Sequence, residues 1–253
     1  MPASTSTHRI TGNVALVTGA AGSLGMATAK MLVNEGLRVV MVDINADRLA
    51  ELAAELGPNA HPLAMDLADS NAIREGFASL PEDLREVDIL VNNAGILSNK
   101  KSEATSVEEW QRVMRVNLDG VFFLSQLVIP SMKARGWGRI VNTSSVAAKT
   151  GGITAGTAYS TSKGAVSALT FSLAAELAPF GVTVNGIAPA YVKTPMVTEQ
   201  LTEEQRQALL QKIPVRRFCE PEEFAHVVRF LIDDLAGFIT GEIIDQNGGL
   251  VFD

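Results

Sequence analysis

The chain has 253 residues, of which 47% are hydrophobic and 19% charged, so it can bury one substantial core. Asp and Glu total 28 against 21 Lys and Arg, and the resulting net charge of −7 argues against a nucleic-acid partner. One cysteine and three scattered histidines exclude an internal disulfide and a catalytic zinc cluster. Without a secretion signal, or an apolar run of roughly 18 residues that could span a bilayer, we expect a cytoplasmic protein with no membrane partner.

Short apolar strands alternate with helical segments along the chain. A polar leader over residues 1–11 precedes a single domain expected over 12–253. The predicted strands are Val14–Thr18, Leu37–Asp43, Ala60–Asp66, Val87–Val91, Arg139–Thr143, Val182–Ile187 and Glu242–Asp245. Their continuous apolar character predicts an α/β fold: a single doubly wound domain of Rossmann type, with a central seven-stranded parallel sheet and helices on both faces.

One long segment, from Ala190 to about Arg217, departs from this alternation. Within it, Thr202-Glu203-Glu204-Gln205 has the capping-box pattern and precedes apolar residues, which predicts an inserted helix. Loops at the carboxyl ends of parallel strands surround the ligand, so we interpret residues 190–217 as a lid. A surface helix without a function is the alternative interpretation.

The first strand runs into a glycine-rich turn and then into a helix predicted over Ser23–Glu35. Glycines allow the backbone to approach a ligand closely, and a helix amino terminus offers free N–H groups and a positive dipole end to a pyrophosphate. The turn therefore predicts a dinucleotide-binding loop. Its candidate binding residues are Gly19, Gly22, Ser23, Leu24 and Gly25.

An acidic residue, Asp43, ends the second strand 18 residues beyond Gly25. A carboxylate there accepts hydrogen bonds from the adenosine ribose and repels a 2′-phosphate. Ile44 and Asn45 follow, and no Lys or Arg stands in the glycine turn. The sequence therefore predicts NAD rather than NADP as the cofactor, bound at Asp43 and Ile44. The alternative is that Asp43 caps the next helix.

Tyr159 and Lys163 stand four residues apart at the start of a helix predicted over Ala158–Leu177, which places them on one face. Lowering the pKa of a tyrosine from about 10 to about 7 takes about 4 kcal/mol, and one cation about 4 Å away supplies that much at an effective dielectric constant near 20. A phenolate near neutral pH is therefore feasible. Such a group exchanges a proton with an alcohol or carbonyl oxygen while a hydride moves to or from nicotinamide.

With these motifs and several others, the sequence resembles the short-chain dehydrogenase/reductase family from Gly12 to Gly249. The further matching motifs are Asp66-Leu67, Asn92-Asn93-Ala94-Gly95, Asn117, Ser144-Ser145, and Asn185 through Pro189 to Thr194. The resemblance implies that Tyr159 is the acid/base and that Ser145 bonds the substrate oxygen. It also implies that Lys163 binds the nicotinamide ribose and lowers the pKa of the tyrosine.

The resemblance implies roles for the other motif residues as well. Asn117 would hold a water in a proton relay, and Thr194 would bond the nicotinamide carboxamide. The remaining cofactor contacts are implied for Asp66, Leu67, Asn93, Ala94, Gly95, Pro189 and Val192.

Three positions depart from the family pattern. Ser23 and Ala190 replace usual glycines, and Asn247 replaces a usual aspartate. We interpret Ser23 as a cap of the first helix. Because the separation of Ser145 from Tyr159 is one residue longer than usual, Ser144 remains an alternative to Ser145.

The function predicted from these motifs is an NAD-dependent dehydrogenase that interconverts a small secondary alcohol, such as a polyol, sugar or hydroxy acid, with its ketone. A 3-oxoacyl carrier-protein reductase is the close rival, and an NAD-sensing protein without turnover is an alternative of another class. Cations in the loops around the site could bind an anionic substrate. These cations are Lys100, Lys101, Lys149, Lys193, Arg216 and Arg217.

Two predicted helices, from about Val121 to Met132 and from Ala158 to Leu177, carry too few charges to have one solvated face. We expect them to pack between subunits, and the family resemblance suggests a homotetramer.

Overall fold

A seven-stranded parallel sheet forms the centre of the protein, as the sequence predicts. The structure is a computed structural model that describes residues 9–152, 154–194 and 202–252, without the side chain of Gln205. Among these residues the strand order is β3-β2-β1-β4-β5-β6-β7, with every neighbouring pair parallel. The strands are Val14–Thr18 (β1), Arg38–Asp43 (β2), Ala60–Ala64 (β3), Ile89–Asn92 (β4), Gly138–Thr143 (β5), Val182–Pro189 (β6) and Ile243–Gln246 (β7).

Helices connect the strands and cover both faces of the sheet. They are Ser23–Asn34 (α1), Ala46–Leu56 (α2), Ser70–Ser79 (α3), Glu82–Arg85 (α4), Val107–Met114 (α5), Gly120–Arg135 (α6), Val146–Thr150 (α7), Thr157–Leu177 (α8), Glu203–Lys212 (α9) and Pro221–Leu231 (α10). Between α5 and α6 the chain forms a π-helical turn, Arg115–Asp119.

The apolar strands are buried on both faces, which explains why they lack polar alternation. In β1, Leu16 joins a core that includes Leu90, while its neighbour Val17 joins a second core that includes Val91. Full burial of a large apolar side chain stabilises the fold by about 1.5–3 kcal/mol. Helices on both faces of the sheet bury the side chains of both cores.

The strand order reverses at β1, which pairs with β2 on one side and β4 on the other. Ligands of open parallel sheets bind at the carboxyl ends of the strands beside such a reversal. Here the hydroxyl of Thr18, the last residue of β1, accepts hydrogen bonds from the N–H groups of Asn93 and Ala94, both at 3.0 Å. The loops that follow β1 and β4 are therefore bonded to each other at the expected site.

Several strand ends differ from the prediction. β4 begins at Ile89 rather than Val87, and Asp88 just before it accepts the N–H groups of Asn13 and Val14 with its side chain. β6 continues two residues past the predicted end, through Pro189, because β7 pairs with it as far as Gln246. β3 ends at Ala64, two residues before its predicted end.

The predicted leader is ordered at its carboxyl end. The Thr11 hydroxyl donates to Asp234 at 2.7 Å, and the carbonyl of Arg9 accepts the N–H of Asp234 at 2.9 Å. Residues 1–8 lie outside the described part of the chain.

The helical run Val107–Arg135 is the one candidate among the described residues with the length and apolar composition of a membrane-crossing helix. Its carboxyl half, α6, packs in the fold, where Leu124, Val128 and Met132 belong to the core.

Candidate active site

The glycine turn after β1 has little space for side chains. Gly19 has a φ of +66°, and a Cβ there would lie 2.9 Å from the Cα of Ala94. A Cβ on Gly25 would fall well inside the van der Waals distance of the Gly19 carbonyl oxygen. Gly22 has room for a Cβ, with its nearest neighbour at 3.4 Å. Gly19 and Gly25 are therefore the positions where the loop requires glycine.

The interpretation of Ser23 as a helix cap is wrong. Ser23 is the first residue of α1, the N-cap is Gly22, and no side chain caps the helix. Glycine at the N-cap leaves the first N–H groups of α1 without a side-chain partner, and such groups bind anions. The half-buried Ser23 and Leu24 lie in this first turn, as a phosphate site requires.

Asp43 bonds the glycine turn, and the alternative that it caps α2 is wrong. Its carboxylate accepts the N–H of Ala21 at 3.1 Å through one oxygen and the N–H of Asn45 at 3.1 Å through the other. The N-cap of α2 is Asn45, whose side chain accepts the N–H of Arg48. Each carboxylate oxygen of Asp43 has a second lone pair for a ribose hydroxyl. Ile44 beside it is 71% exposed, as a side chain available to a ligand would be.

The loop after β4 closes the other side of the crevice. The Asn93 side chain donates to the carbonyl of Thr18 at 3.0 Å, so this side chain fixes the two loops to each other. A Cβ on Gly95 would lie 3.3 Å from Lys163 Nζ and 3.3 Å from an Asn117 oxygen. Gly95 therefore stands between the predicted cofactor loop and the predicted catalytic residues.

Asp66 and Leu67 follow β3, on the far side of β2. The exposed Asp66 accepts the N–H of Ala68 at 2.8 Å, and Leu67 is 9% exposed. Their position beyond the carboxyl ends of β2 and β3 is consistent with the predicted contact with adenine.

Ser145 and Tyr159 lie next to each other in the site. Ser145 follows β5 and is the N-cap of α7, while Tyr159 is the third residue of α8. Burial raises the pKa of the Tyr159 phenol, and the hydrogen bond with Ser145 lowers it in part. Ser144 points elsewhere, since its hydroxyl bonds the Lys163 carbonyl at 3.1 Å and Ser167 at 2.8 Å. The geometry therefore favours Ser145 over Ser144 as the partner of the tyrosine.

Lys163 lies beside Tyr159 but does not hold it as a phenolate in this structure. Its Nζ is 5.9 Å from the centre of the phenol ring and donates to the carbonyl of Thr143 at 2.7 Å. In the chain alone, burial raises the pKa of the phenol, and the Lys163 ammonium, the cation found beside it among the described residues, is not among the causes that lower it, so a phenolate near neutral pH stays a prediction for the complex with cofactor. Burial also lowers the pKa of Lys163 to about 8.

The buried amine predicts a stability difference that depends on pH. Below pH 8 the folded chain carries a buried charge, whereas between pH 8 and 10.5 the folded amine is neutral and the unfolded one is still protonated. Unfolding then takes up a proton, so stability rises with pH. We expect wild type to gain up to about 3 kcal/mol over Lys163→Met across that interval. Urea unfolding of both proteins at several pH values measures this, and a constant difference would contradict it.

Asn117 lies in the π-helical turn and is fully buried. Its side-chain oxygen accepts the N–H of Ile96 at 2.8 Å, and its amide donates to the Ile96 carbonyl at 3.1 Å and to Ser162 at 3.0 Å. Asn117 thus connects the loop after β4 to α8. Its side chain is engaged by protein groups, so the predicted water would be held by another part of the residue. Wide helical turns of this kind are frequent at functional sites.

The residues after β6 form the remaining side of the site. Pro189 and Val192 are buried, and Val192 forms a bridge with Cys219. Thr194 is half-buried and directly precedes residues 195–201, which lie outside the described part of the chain. The predicted inserted helix is present as α9. Its capping box involves the side chain of Gln205, which also lies outside the described part, so both the box and the lid remain predictions.

The loop cations all have protein partners in this structure. Lys101 and Arg216 donate to backbone carbonyls. The other four form ion pairs: Lys100 with Glu109, Lys149 with Asp245, Lys193 with Glu220, and Arg217 with Glu223. An anionic substrate would therefore share these cations with their present partners or displace those partners.

The crevice fits a dinucleotide. The glycine turn carries no side chain at Gly19, Gly22 or Gly25, the amino terminus of α1 has no side-chain cap, and the Asp43 carboxylate at the end of the adjacent strand bonds this turn. These are the donors and acceptors that a pyrophosphate and a vicinal diol require.

Comparison with known proteins identifies the family. The sequence profile described as short chain dehydrogenase matches residues 13–205, which is most of the chain. The chain belongs to the short-chain dehydrogenase family. Its resemblance to that family, stated above from motifs, is thereby confirmed, and the chain is an oxidoreductase of a family that uses NAD(P).

Relatives within the family differ in their substrates. A 3-oxoacyl-[acyl-carrier-protein] reductase of Aquifex aeolicus is 40% identical and covers 96% of this chain and 98% of its own. A structure provisionally described as a gluconate dehydrogenase of Agrobacterium tumefaciens has a TM-score of 0.88 and 33% identity, and covers 94% of this chain and 95% of its own. Another, provisionally described as an NAD(P)-dependent gluconate 5-dehydrogenase of Beutenbergia cavernae with NADP at low occupancy, has a TM-score of 0.85 and 35% identity, covering 94% of this chain and 96% of its own.

Two groups at this dehydrogenase site were not predicted from the sequence. The hydroxyl of Thr18 joins the two cofactor loops, and the carbonyl of Thr143 holds Lys163. A threonine at the end of a strand, next to a glycine turn, was a signal for the first. No sequence signal marks a backbone carbonyl.

Proposed function

We propose that this short-chain dehydrogenase interconverts a ketone and a secondary alcohol, with Tyr159 as the acid/base. The observation that supports this most directly is that the Ser145 hydroxyl, after β5, lies close enough to the Tyr159 phenol to lower its pKa, on the sheet edge that also holds the uncapped amino terminus of α1. A bound nicotinamide dinucleotide supplies or accepts the hydride in this chemistry. All other steps belong to the residues of the chain.

The two hydroxyl groups bind and protonate one oxygen atom. In reduction, Ser145 and Tyr159 both donate to the carbonyl oxygen of the substrate, and Tyr159 transfers its proton to that oxygen as the hydride reaches the carbon. In oxidation, the phenolate of Tyr159 accepts the alcohol proton. Because burial raises the pKa of this phenol, the chain alone holds the proton at neutral pH, which suits the reductive direction.

Lys163 and Asn117 support the proton-transfer pair. The Lys163 amine lies 5.9 Å from the Tyr159 ring, on the same helix. An ammonium there stabilises a phenolate after the proton has left. Asn117 holds Ile96 and Ser162 in place around this amine, next to Gly95.

For the substrate we propose a 3-oxoacyl thioester, reduced to the 3-hydroxyacyl thioester. The motifs alone favoured a polyol, sugar or hydroxy acid as substrate. The thioester is supported instead by the relative that is 40% identical over almost its whole length, a 3-oxoacyl-[acyl-carrier-protein] reductase. The second candidate is the dehydrogenation of a polyol or sugar acid, which is supported by the two gluconate dehydrogenase-like structures.

A substrate panel separates these candidates. Purified protein is assayed by nicotinamide absorbance with an acetoacetyl thioester, with gluconate and with simple secondary alcohols. The proposal expects the thioester to have the highest kcat/KM. A higher kcat/KM for gluconate would replace it by the second candidate, and cofactor binding without turnover on the whole panel would support an NAD-sensing protein.

For the cofactor we propose NAD(H), because Asp43 places a negative charge where the 2′-phosphate of NADP would lie. Two like charges about 4 Å apart repel by about 1–4 kcal/mol at effective dielectric constants between those of water and a protein surface. Asp43→Asn keeps an acceptor for the N–H of Ala21 and removes the charge. We expect the ratio of kcat/KM for NADH to that for NADPH to fall about 10-fold or more.

The exposed carboxylate of Asp47, in the first turn of α2, provides the matched control. Asp47→Asn removes the same charge one helical turn away and should leave the NADH to NADPH ratio unchanged. An equal change in both variants, or none in Asp43→Asn, would count against the proposed role of Asp43.

We also propose that the chain is a homotetramer. Phe122 of α6 is 39% exposed and Phe171 of α8 is 51% exposed, so both helices present aromatic side chains to solvent in the single chain. A second subunit would cover them. A monomeric mass by light scattering at micromolar concentration would contradict this.

A further inference from the structure

Two segments of chain pack closely beside the proton-transfer pair. Residues 98–102 follow the cofactor loop of β4, and residues 154–157 lead into α8. The N–H of Gly156 donates to the Ser98 carbonyl at 2.7 Å, and the N–H of Thr157 donates to the Lys100 carbonyl at 3.2 Å. A Cβ on Gly156 would clash with that Lys100 carbonyl, so only glycine allows the approach.

A single ammonium group bonds the backbone on both sides of the start of the second segment. Lys101 Nζ donates to the carbonyls of Gly152 and Ala155, both at 2.7 Å. An ammonium has three donors and can serve both oxygens, and hydrogen bonds from a charged donor are about twice as strong as neutral ones. The hydroxyls of Ser102 and Thr157 add a contact of 2.9 Å.

The segment that carries Lys101 is itself attached to a helix. Ser98 donates to Glu109 of α5 at 2.6 Å, and Lys100 forms an ion pair with the same carboxylate. Helix α5 also packs against α8. Contacts therefore run from α5 through residues 98–102 to the backbone just before α8.

This backbone belongs to the stretch that separates the two reacting hydroxyls. Ser145 caps α7, whose end is followed by Gly151 and Gly152 with φ of +71° and +78°. Tyr159 comes four residues after Ala155. Glycine-rich backbone loses much conformational entropy when it is ordered, so the geometry of this stretch depends on the groups that bond it.

We propose that Lys101 is a positioning residue that sets the separation of Ser145 from Tyr159 by holding the chain between them closed. The ammonium acts through the carbonyls of Gly152 and Ala155. This rests on the proposed function, in which Ser145 and Tyr159 share one substrate oxygen. We call the Lys101 ammonium and the two carbonyls that it bonds the clamp. The spacing of Ser145 and Tyr159 along the chain is one residue longer than the family pattern, and the clamp holds part of that longer stretch.

The test replaces the ammonium by a methyl thioether of similar length. In Lys101→Met we expect kcat to fall about 10-fold, since displacements of about 1 Å at reacting groups cost up to about 10²-fold, while the dissociation constant of NADH stays within about twofold. Lys133→Met is the matched control, because Lys133 lies in the last turn of α6 and its ammonium contacts the ring of Phe180. Its kcat should match that of wild type.

A second readout needs no substrate. The chain has only two tyrosines, so in a Tyr191→Phe background the absorbance of tyrosinate reports Tyr159 alone. The hydrogen bond with Ser145 lowers the pKa of Tyr159, and its loosening in Lys101→Met should move the titration to higher pH. The groups that act on this phenol among the described residues are Ser145 and the Lys163 amine. A shifted titration in a protein that lacks activity on every substrate would support the clamp and reject the proposed function.

An unchanged titration together with an unchanged kcat in folded Lys101→Met would overturn the clamp, as would an equal loss in Lys133→Met. If Lys101→Met does not fold, Ser102→Ala removes only the hydroxyl contact to Thr157. It should then lower kcat about threefold and move the titration in the same direction. No change in either measurement would again overturn the proposal.

Discussion

Replacing Tyr159 by phenylalanine should reduce kcat about 10²–10⁴-fold, because positioned proton transfer contributes that much and the variant has no phenol to transfer the proton. The ring remains, so the packing of this buried residue is kept, and NADH binding should stay close to that of wild type. Turnover is followed by nicotinamide absorbance with a substrate that wild type reduces, and NADH binding by its fluorescence.

The two neighbouring serines provide the control for this experiment. Ser145 lies beside the Tyr159 phenol and lowers its pKa, whereas Ser144 bonds Ser167 and the Lys163 carbonyl. Ser145→Ala should therefore lower kcat about 10²-fold, as the loss of one donor to a developing oxyanion does, while Ser144→Ala should retain a kcat near that of wild type. Full activity of Tyr159→Phe would reject the mechanism, and a larger loss in Ser144→Ala would reassign the serine.

Replacing Gly25 by alanine should abolish detectable NADH binding at micromolar concentrations. The added Cβ would overlap the Gly19 carbonyl oxygen, a backbone atom that cannot rotate away, so the glycine turn and the start of α1 must separate. Such overpacking costs about 1–3 kcal/mol of stability, and it displaces the N–H groups that would hold the pyrophosphate. Titration of NADH fluorescence and thermal unfolding measure the two effects.

Gly22→Ala is the control for folding within the same turn. Its Cβ would meet the Gly19 carbonyl oxygen at an ordinary distance of 3.4 Å. We expect its Tm to stay within a few degrees of wild type, whereas that of Gly25→Ala should fall by more. Tight NADH binding by Gly25→Ala would show that the loop geometry is not what binds the dinucleotide.

Sequence patterns predicted the ends of helices and strands correctly where neighbouring residues alone determine them. β1 has the predicted bounds, Val14–Thr18, and α8 ends at the predicted Leu177, because burial on all sides and helical periodicity are both readable from neighbouring residues. Strand ends were less accurate. The end of β6 depends on β7, which pairs with it from far along the chain.

Side-chain roles that depend on competition between partners were not readable. Ser23 has a capping residue type, but the helix begins at it rather than after it. Lys163 has the predicted spacing from Tyr159, yet in the chain alone a carbonyl of β5 binds its ammonium. The sequence shows which side chains are close to each other along the chain. The hydrogen-bond partner that each side chain takes depends on where the backbone of distant segments lies.

From its sequence alone this protein is an α/β dehydrogenase with a glycine turn, an acidic residue at the end of β2 and a tyrosine paired with a lysine. These features are local, since a strand followed by glycines, or two side chains one helical turn apart, lie within a few residues of each other. Only the tertiary structure decided between Ser144 and Ser145, connected Asp43 to the glycine turn and placed Lys101 over the chain before Tyr159. Each of these depends on where segments far apart in the sequence meet, and those positions follow from the packing of the whole sheet and its helices.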